Sequence, residues 1–272
     1  MRSVRSLTYG ITSSLDLIEA DGRLLVLRCY DRMESPDAGE HQVENEVRAL
    51  AAARRVLGSL VPDLVAAEPS GADAGCPSLL MTYLPGRPVI VEVDPVQLAE
   101  TIARLHAGPV PTDLQVARHW FDVDRLAVPS WTEQPESWKT LITMLNDPAP
   151  PAASVFLHRD FHHGNVLWSE GRISGVVDWP FACTGPRGID IAHTRANLAL
   201  VNGVAVADRF LSAYTARMPG YHQESWWDAA ALVGLAQDFA GVLAFNAFGA
   251  GLGGELLAAR ADSFAQALTS ST

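Results

Sequence analysis

Lysine is nearly absent from this chain. Of 272 residues 20 are Lys or Arg, yet Lys139 is the one lysine, so chemistry that needs a cation elsewhere must draw on arginine. Cysteine is scarce as well. Cys29, Cys76 and Cys183 are odd in number, far apart and in no CxxC arrangement, which suggests neither a disulfide framework nor a zinc ribbon and leaves them as small buried hydrophobes. No apolar run reaches the roughly 18 to 20 residues of a membrane span. Met1, Arg2 and Ser3 lead into a mixed polar segment without a signal-peptide hydrophobic region, and the expectation is a soluble, cytoplasmic protein with no membrane partner. Positive charge is also in deficit: a formal net charge of -11 argues against a nucleic-acid partner and favours clefts that attract cations. There is no internal repeat and no low-complexity tail. What the chain has in quantity is apolar side chains, 48% of the total, enough for a substantial core and for one large domain or two lobes.

Organisation follows from periodicity. Leu15, Leu17 and Glu19 alternate with Asp16 and Ile18, Asp21-Gly22 supplies a turn, and "RLLVLRCY" follows as a second strand, together predicting an N-terminal hairpin. On that strand Leu24, Val26, Arg28 and Tyr30 share a face, which places an arginine among apolar neighbours. Residues 40 to 57 read as a helix with Val43, Val47, Leu50 and Leu57 in a stripe and Glu40, Glu44, Arg48 and Arg55 opposite. Glu46 lies at the stripe's edge, where Arg28 is an available partner and a solvated helix flank is the plainer alternative. "CPSLLMTYLPG" reads as a buried strand ended by Pro85-Gly86, and Asp94-Pro95 caps a helix with Leu98, Ala99, Ile102, Ala103 and Leu105 inward. The shift from β-rich to helix-rich composition near residues 84 to 90 divides the chain into lobes at 1–84 and 85–272. Residues 108 to 152 form an irregular insertion until "ESWKTLITMLN", and helices are predicted near 188–202, 204–217, 225–247 and 254–268.

The segment "LHRDFHHGNVLW", residues 157 to 168, packs three histidines, an aspartate and an asparagine between apolar runs. It reads as a metal cluster, a buried polar knot or a catalytic loop. Downstream, "VLW", "SEGR" and "ISGVVDW" spell strand, turn and strand, so a hairpin folded about Glu170-Gly171 brings Asn165 and Asp178 together at its open end, with Asp160 in the loop before them. Two carboxylates and an amide are hard oxygen donors suited to Mg²⁺. Phosphoryl transfer requires such a set: one Asp to orient or deprotonate a hydroxyl, and an Asn with a second Asp to hold metal on the nucleotide.

"HRDFHHGN" followed by "VVDW" resembles the H-x-D-x-x-x-x-N motif and downstream Asp of the aminoglycoside phosphotransferase family, a branch of the protein-kinase-like fold. "GPRGIDIAH", with Asp190, is similar to the segment that follows there, and "VLRCY", "VENEVRAL", "LLMTYLPG" and "LAETIARLHA" come in matching order, so the resemblance spans about residues 8 to 205. It implies an α+β, two-lobed kinase-like fold with a small antiparallel-sheet N-lobe, a mainly helical C-lobe and the active site between them. It further implies Asp160 as catalytic base or orienting group, Asn165 and Asp178 as Mg²⁺ ligands, Arg28 at the position of the phosphate-binding lysine, and Glu46 as its helix partner. Thr82 and Leu84 match hinge positions whose backbone bonds the purine of ATP or GTP. Two departures stand out. Arginine at position 28 is not equivalent to an ammonium, and "GITSS", residues 10 to 14, lacks GxGxxG, leaving Ser13 and Ser14 as phosphate caps.

His158 is expected to support the loop backbone, with His162 and His163 as loop residues near the nucleotide; a structural zinc site wants four closed ligands, and no matching pair is near. Asp190 reads first as a helix N-terminal residue favoured by the dipole and second as an acceptor for loop amides. Trp226 and Trp227 are expected in the core. Glu224, Asp228 and Asp238 are the candidate acids for a cationic acceptor, each competing with an ordinary surface charge. The acceptor expected is a cationic antibiotic, an aminoglycoside or a tuberactinomycin-type cyclic peptide, whose phosphorylation gives resistance. Alternatives are a choline, homoserine or sugar kinase, a zinc hydrolase, and a nucleotide-binding pseudokinase, the last disfavoured because Asp160, Asn165 and Asp178 are all present.

Overall fold

The structure, a computed structural model, describes residues 3–7, 13–118, 126–237 and 239–270. Five strands open the chain's first sheet: β1 (Ser3–Leu7), β2 (Ser14–Ala20), β3 (Arg23–Cys29), β4 (Leu64–Glu68) and β5 (Ser78–Thr82), in the order β1-β2-β3-β5-β4, with every pairing antiparallel. The β2–β3 turn falls on Asp21-Gly22, both at positive φ (51° and 72°), as a tight hairpin requires. Between β3 and β4 runs α1 (Pro36–Leu57). It begins four residues before the expected start, because Ser35 caps the Ala38 amide at 3.3 Å and Pro36 occupies the first turn.

A short β6 (Arg87–Pro88) leads to α2 (Pro95–His106), where the Asp94 side chain accepts the Val96 amide at 2.9 Å, and the α3 helix (Pro135–Met144) follows the insertion. β7 (Ser154–Leu157), β8 (Val166–Ser169), β9 (Arg172–Val176) and β10 (Cys183–Pro186) form two small sheets, β6-β8-β9 and β7-β10. Glu170 (φ 52°) and Gly171 (φ 73°) turn β8 into β9, and the register shifts by one residue between Leu167 and Trp168.

The remaining chain is a helical bundle: α4 (Gly188–Asn202), α5 (Val204–Arg217), α6 (Ser225–Leu235), α7 (Ala240–Leu243) and α8 (Gly254–Ser270). The helix expected over 225–247 is broken. It stops at Leu235, Phe239 adopts a left-handed conformation (φ 55°), and a 3₁₀ turn covers Ala244–Phe248. The break lets Phe239 pack on Trp131 and turns Phe245 onto His162 and His163. Among the described residues no single helix is long and apolar enough to cross a membrane.

One apolar core runs through both parts of the chain, from Leu50 and Leu79 through Leu98, Trp138 and Phe156 to Leu198 and Phe264. At its centre α4 is buried on nearly every side, the pattern of a core helix. Yet it carries Asp190, His193, Thr194, Arg195 and Asn197, all buried. Polar groups in such a place cost free energy unless bonded, and four of the five reach toward the same loop or the groups beside it.

Candidate active site

The loop from His158 to Asn165 is fastened from α4. Asp190, in the first turn, accepts the Arg159 amide on one oxygen at 2.8 Å and the His158 amide on the other at 2.9 Å. The acceptor reading ranked second for this residue therefore describes what its carboxylate does. His106 Nε2 lies 3.2 Å from the same oxygen as His158, with His106 Nδ1 2.7 Å from the Tyr214 hydroxyl. Burial pushes the Asp190 carboxyl up, but the His106 contact and the loop amides outweigh it and hold it below the usual range. One turn on, Thr194 Oγ1 lies 2.8 Å from both the Phe161 carbonyl and the Asp190 carbonyl of its own helix, so its single proton is shared between them. This fastening holds Arg159 at φ 75°, a conformation a non-glycine residue keeps only where its surroundings over-determine it.

Asp160 follows. Its Oδ1 is 3.0 Å from His193 Nε2 and 3.6 Å from His162 Nε2, and its Oδ2 accepts from Asn165 Nδ2 at 3.1 Å. Burial alone pushes the carboxyl up; the two imidazoles outweigh it and leave Asp160 well below the usual carboxylate range. It is thus ionised and weakly basic. Asp160, His162 and His193 offer one ligand atom each within 4.8 Å of one another, the one grouping of this kind among the described residues. However, His162 Nδ1 accepts the Gly164 amide at 3.0 Å, so in the neutral ring the proton sits on Nε2, facing Asp160. A metal would need a lone pair there, and metal-bound imidazoles normally donate from the far nitrogen rather than accept on it.

His163 is fully buried against Phe245, with neither ring nitrogen hydrogen-bonded, and burial pushes it down to about 3. It behaves as an apolar wedge. Gly164 beside it must lack a side chain, since a Cβ would stand 2.6 Å from the Phe245 ring. His158 stacks on Trp179 with centroids 4.3 Å apart and places Nε2 3.1 Å from the Val177 carbonyl, so it supports the backbone leading to Asp178.

The hairpin brings Asn165 and Asp178 to its open end, where the Val177 amide donates to the Asn165 carbonyl at 3.0 Å. Asp178, also left-handed at φ 72°, accepts Arg28 Nη2 at 2.8 Å. Arg28 Nη1 reaches both oxygens of Glu46 at 2.9 and 3.0 Å, and the Tyr30 hydroxyl donates to Glu46 at 2.7 Å. Arg28 is 5% and Glu46 1% exposed, so the solvated reading of Glu46 is overturned: the edge of the stripe faces the sheet. Burial acts to lower the Arg28 pKa, but Asp178 and Glu46 prevail and raise it further above its ordinary value. Asn45, next to Glu46, donates to the carbonyls of Pro180 and Ala182, both at 2.8 Å, tying α1 to the segment after Asp178. With Asn165 Nδ2 committed to Asp160, the amide oxygen of Asn165 and a carboxylate of Asp178 form an all-oxygen pair whose chemistry fits a hard divalent cation.

Other expected residues fare differently. Ser13 is buried, and the Ser14 amide donates to Asp31 at 3.0 Å; residues 10 to 12 of the expected phosphate loop lie outside the described residues. Thr82 spends its amide on the Asp63 carbonyl at 2.9 Å, so a purine could use only its carbonyl. Leu84 packs over Gly175, where a Cβ would come within 2.8 Å of it. Asp228 is not a surface acid. It is 2% exposed and paired with Arg195, with Gln223 donating at 3.0 Å, and burial pushes it up to about 6. Its helix position, read as a solvent face, points inward, so it is corrected from substrate contact to interior ion pair. Glu224 is exposed at the start of α6, and Asp238 lies outside the described residues. Trp226 and Trp227 are core. Sequence reasoning passed over His193 and Asn45. The signal was there for His193: it follows Asp190 by three positions and so shares its helix face.

The sequence profile of the phosphotransferase enzyme family matches residues 17–227. No curated protein matches the chain. Among solved structures, macrolide 2'-phosphotransferase MphH from Brachybacterium faecium is similar at 20% identity and TM-score 0.58, covering 98% of this chain and 91% of that one. A putative aminoglycoside phosphotransferase from Ralstonia eutropha JMP134 gives 15% identity and TM-score 0.63, with 98% and 91% covered. A thermostable mutant of aminoglycoside phosphotransferase APH(4)-Ia, in ternary complex with AMP-PNP and hygromycin B, gives 15% identity and TM-score 0.61, with 99% and 94% covered. These likenesses establish the two-lobed kinase-like fold.

Proposed function

The chain belongs to the phosphotransferase enzyme family, and from that premise we propose that it transfers the terminal phosphoryl group of ATP or GTP to a hydroxyl of a small molecule, with Mg²⁺. The observation that carries the proposal is the convergence of Asp160, Asn165, Asp178 and Arg28, linked by contacts of 3.1 Å (Asn165 to Asp160) and 2.8 Å (Arg28 to Asp178). In this reading the acceptor oxygen attacks the γ-phosphorus as the bond to the β–γ bridging oxygen breaks and the nucleoside diphosphate leaves. Asp160 accepts the hydroxyl's hydrogen bond and aligns it. Its lowered basicity suits a loose transition state in which the hydroxyl proton departs late and positioning supplies most of the acceleration. Arg28 holds nucleotide phosphate, and Asn165 with Asp178 hold Mg²⁺, which when bound neutralises charge on the phosphates.

For the acceptor, we propose a hydroxyl on an antibiotic with extensive apolar surface and little charge. Between Asp228 and Glu255 the sequence has a single charged residue, Asp238, and this segment delivers Phe245 to His162 at a centroid distance of 5.1 Å, one contact from Asp160. MphH, a macrolide 2'-phosphotransferase, is among the similar structures. A polycationic acceptor, as in the hygromycin B complex of APH(4)-Ia, is the second reading, favoured by the net charge of -11 and weakened by the loss of Asp228 to Arg195. A nucleotide-turnover assay with ATP and GTP run separately tests both readings against macrolides, aminoglycosides, choline, homoserine and sugars. The expected result is macrolide-dependent release of nucleoside diphosphate that a chelator abolishes. Turnover with aminoglycosides alone overturns the acceptor assignment, and no acceptor-dependent turnover overturns the whole.

A further inference from the structure

Asp190 and Thr194 fix the backbone of the catalytic loop at His158, Arg159 and Phe161. Neither touches the one side chain between them on which the proposed chemistry depends. Backbone fastening leaves the carboxylate of Asp160 free to rotate unless something holds it, and phosphoryl transfer by positioning tolerates little misplacement. Two contacts within hydrogen-bond distance hold it: Asn165 Nδ2 on Oδ2 at 3.1 Å and His193 Nε2 near Oδ1 at 3.0 Å. His162 stands further off, at 3.6 Å from Oδ1.

We infer that His193 is a positioning residue for phosphoryl transfer, holding Asp160 Oδ1 from the second turn of α4 so that the carboxylate presents its remaining lone pairs to the acceptor hydroxyl. A ring nitrogen 3.0 Å from a carboxylate oxygen must carry its proton, since two lone pairs at that distance would repel. His193 is 6% exposed, and its ring is flanked by Asn197, one turn later, whose Nδ2 stands 3.2 Å from Nε2 but donates to the His193 carbonyl at 3.0 Å, leaving the Nε2 proton to Asp160. Each Asp160 oxygen has two acceptor sites. One per oxygen goes to His193 and Asn165, and one per oxygen is left for substrate. Asp190, His193 and Thr194 thus divide the work along one helix, two on the backbone and one on the reacting side chain. A metal-ligand role is disfavoured by the protonated nitrogens that face Asp160. A purely structural role does not account for a buried imidazole spending its donor on a carboxylate at the loop's open side.

This inference rests on the phosphotransfer reading of Asp160, and a double-mutant cycle separates the two. His193→Ala, Asp160→Asn and the double variant are compared for kcat, acceptor KM, binding of a fluorescent nucleotide, and Tm. His193→Ala is expected to lower kcat about 10- to 100-fold, with nucleotide binding and Tm little changed, and His193→Gln, which keeps a donor, to recover part of the loss. In the Asp160→Asn background the His193 change should have almost no further effect, because it acts through the group already altered. Equal losses in both backgrounds, or a loss that tracks Tm, overturn the inference. A second readout needs no turnover: the His193 Nε2–H resonance in NMR should shift in Asp160→Asn. An unmoved resonance overturns the positioning contact, whereas absence of turnover in the parent chain counts against the phosphotransfer reading alone.

Discussion

Asp178 and Asp160 stand at the same open end of the hairpin, yet they are held by different means. Asp178 is held across the lobes by a buried guanidinium at 2.8 Å, itself gripped by Glu46. Asp160 is held within its own lobe by an amide at 3.1 Å and an imidazole at 3.0 Å. The first arrangement is a chain of formal charges whose members depend on one another, because an ion left buried without its partner is costly. The second uses donors that carry no obligatory charge and are anchored to a buried helix. The cleft therefore joins a charge-linked side that couples the lobes to a pre-set side that aims one carboxylate.

Breaking the charged side should cost most in stability. Glu46→Ala strands Arg28, removes the acceptor of the Tyr30 hydroxyl, and is expected to destabilise the fold by about 3–5 kcal/mol in urea unfolding; a loss below about 1 kcal/mol would show that Asp178 suffices for Arg28. Asn45→Ala, which frees the carbonyls of Pro180 and Ala182, should cost about 1–3 kcal/mol and raise the KM for nucleotide more than that for acceptor. Equal changes in both would detach Asn45 from the charged side.

The most gradual effect is on the pre-set side and appears with pH. Burial lowers His162 to about 4 and His163 to about 3, so between pH 6.5 and 4 the unfolded chain binds these protons and the folded one does not. Their stabilisation is complete above about pH 6.5 and falls as pH drops. Asp228, raised to about 6, acts oppositely, since its stabilisation is lost as pH rises from about 4 through 6. The balance of the three is about one proton, or roughly 1.4 kcal/mol per pH unit. His163→Leu should flatten the dependence in thermal unfolding between pH 6.5 and 4; an unaltered slope would contradict the buried neutral state.

How much of this was legible in the sequence depended on the distance over which a residue finds its partner. Asp160, Asn165 and Asp178 lie within 19 residues and are joined by one hairpin, so local pattern and turn chemistry sufficed. The lobes, the hairpins and most helices were legible for the same reason. His193 was only partly legible, because its partner Asp160 is 33 positions away and the i, i+3 spacing from Asp190 marks a shared helix face but not what that face meets. Asn45 reaches 135 and 137 residues along the chain, beyond any periodicity. Asp228 was misread because an acid on a helix resembles a solvent face until the opposing Arg195 is known. The break at Phe239 is not fixed by its flanking Gly234 and Gly241, since isolated glycines are tolerated inside a helical pattern; tertiary packing of Phe239 and Phe245 overrides that pattern.

The most direct test of the account is the Asp160→Asn variant, measured at saturating nucleotide, Mg²⁺ and acceptor alongside nucleotide affinity by equilibrium binding. The expected result is at least a ~100-fold lower kcat with nucleotide affinity unchanged to within about twofold. Turnover equal to that of the parent chain would remove Asp160 from the mechanism and contradict it.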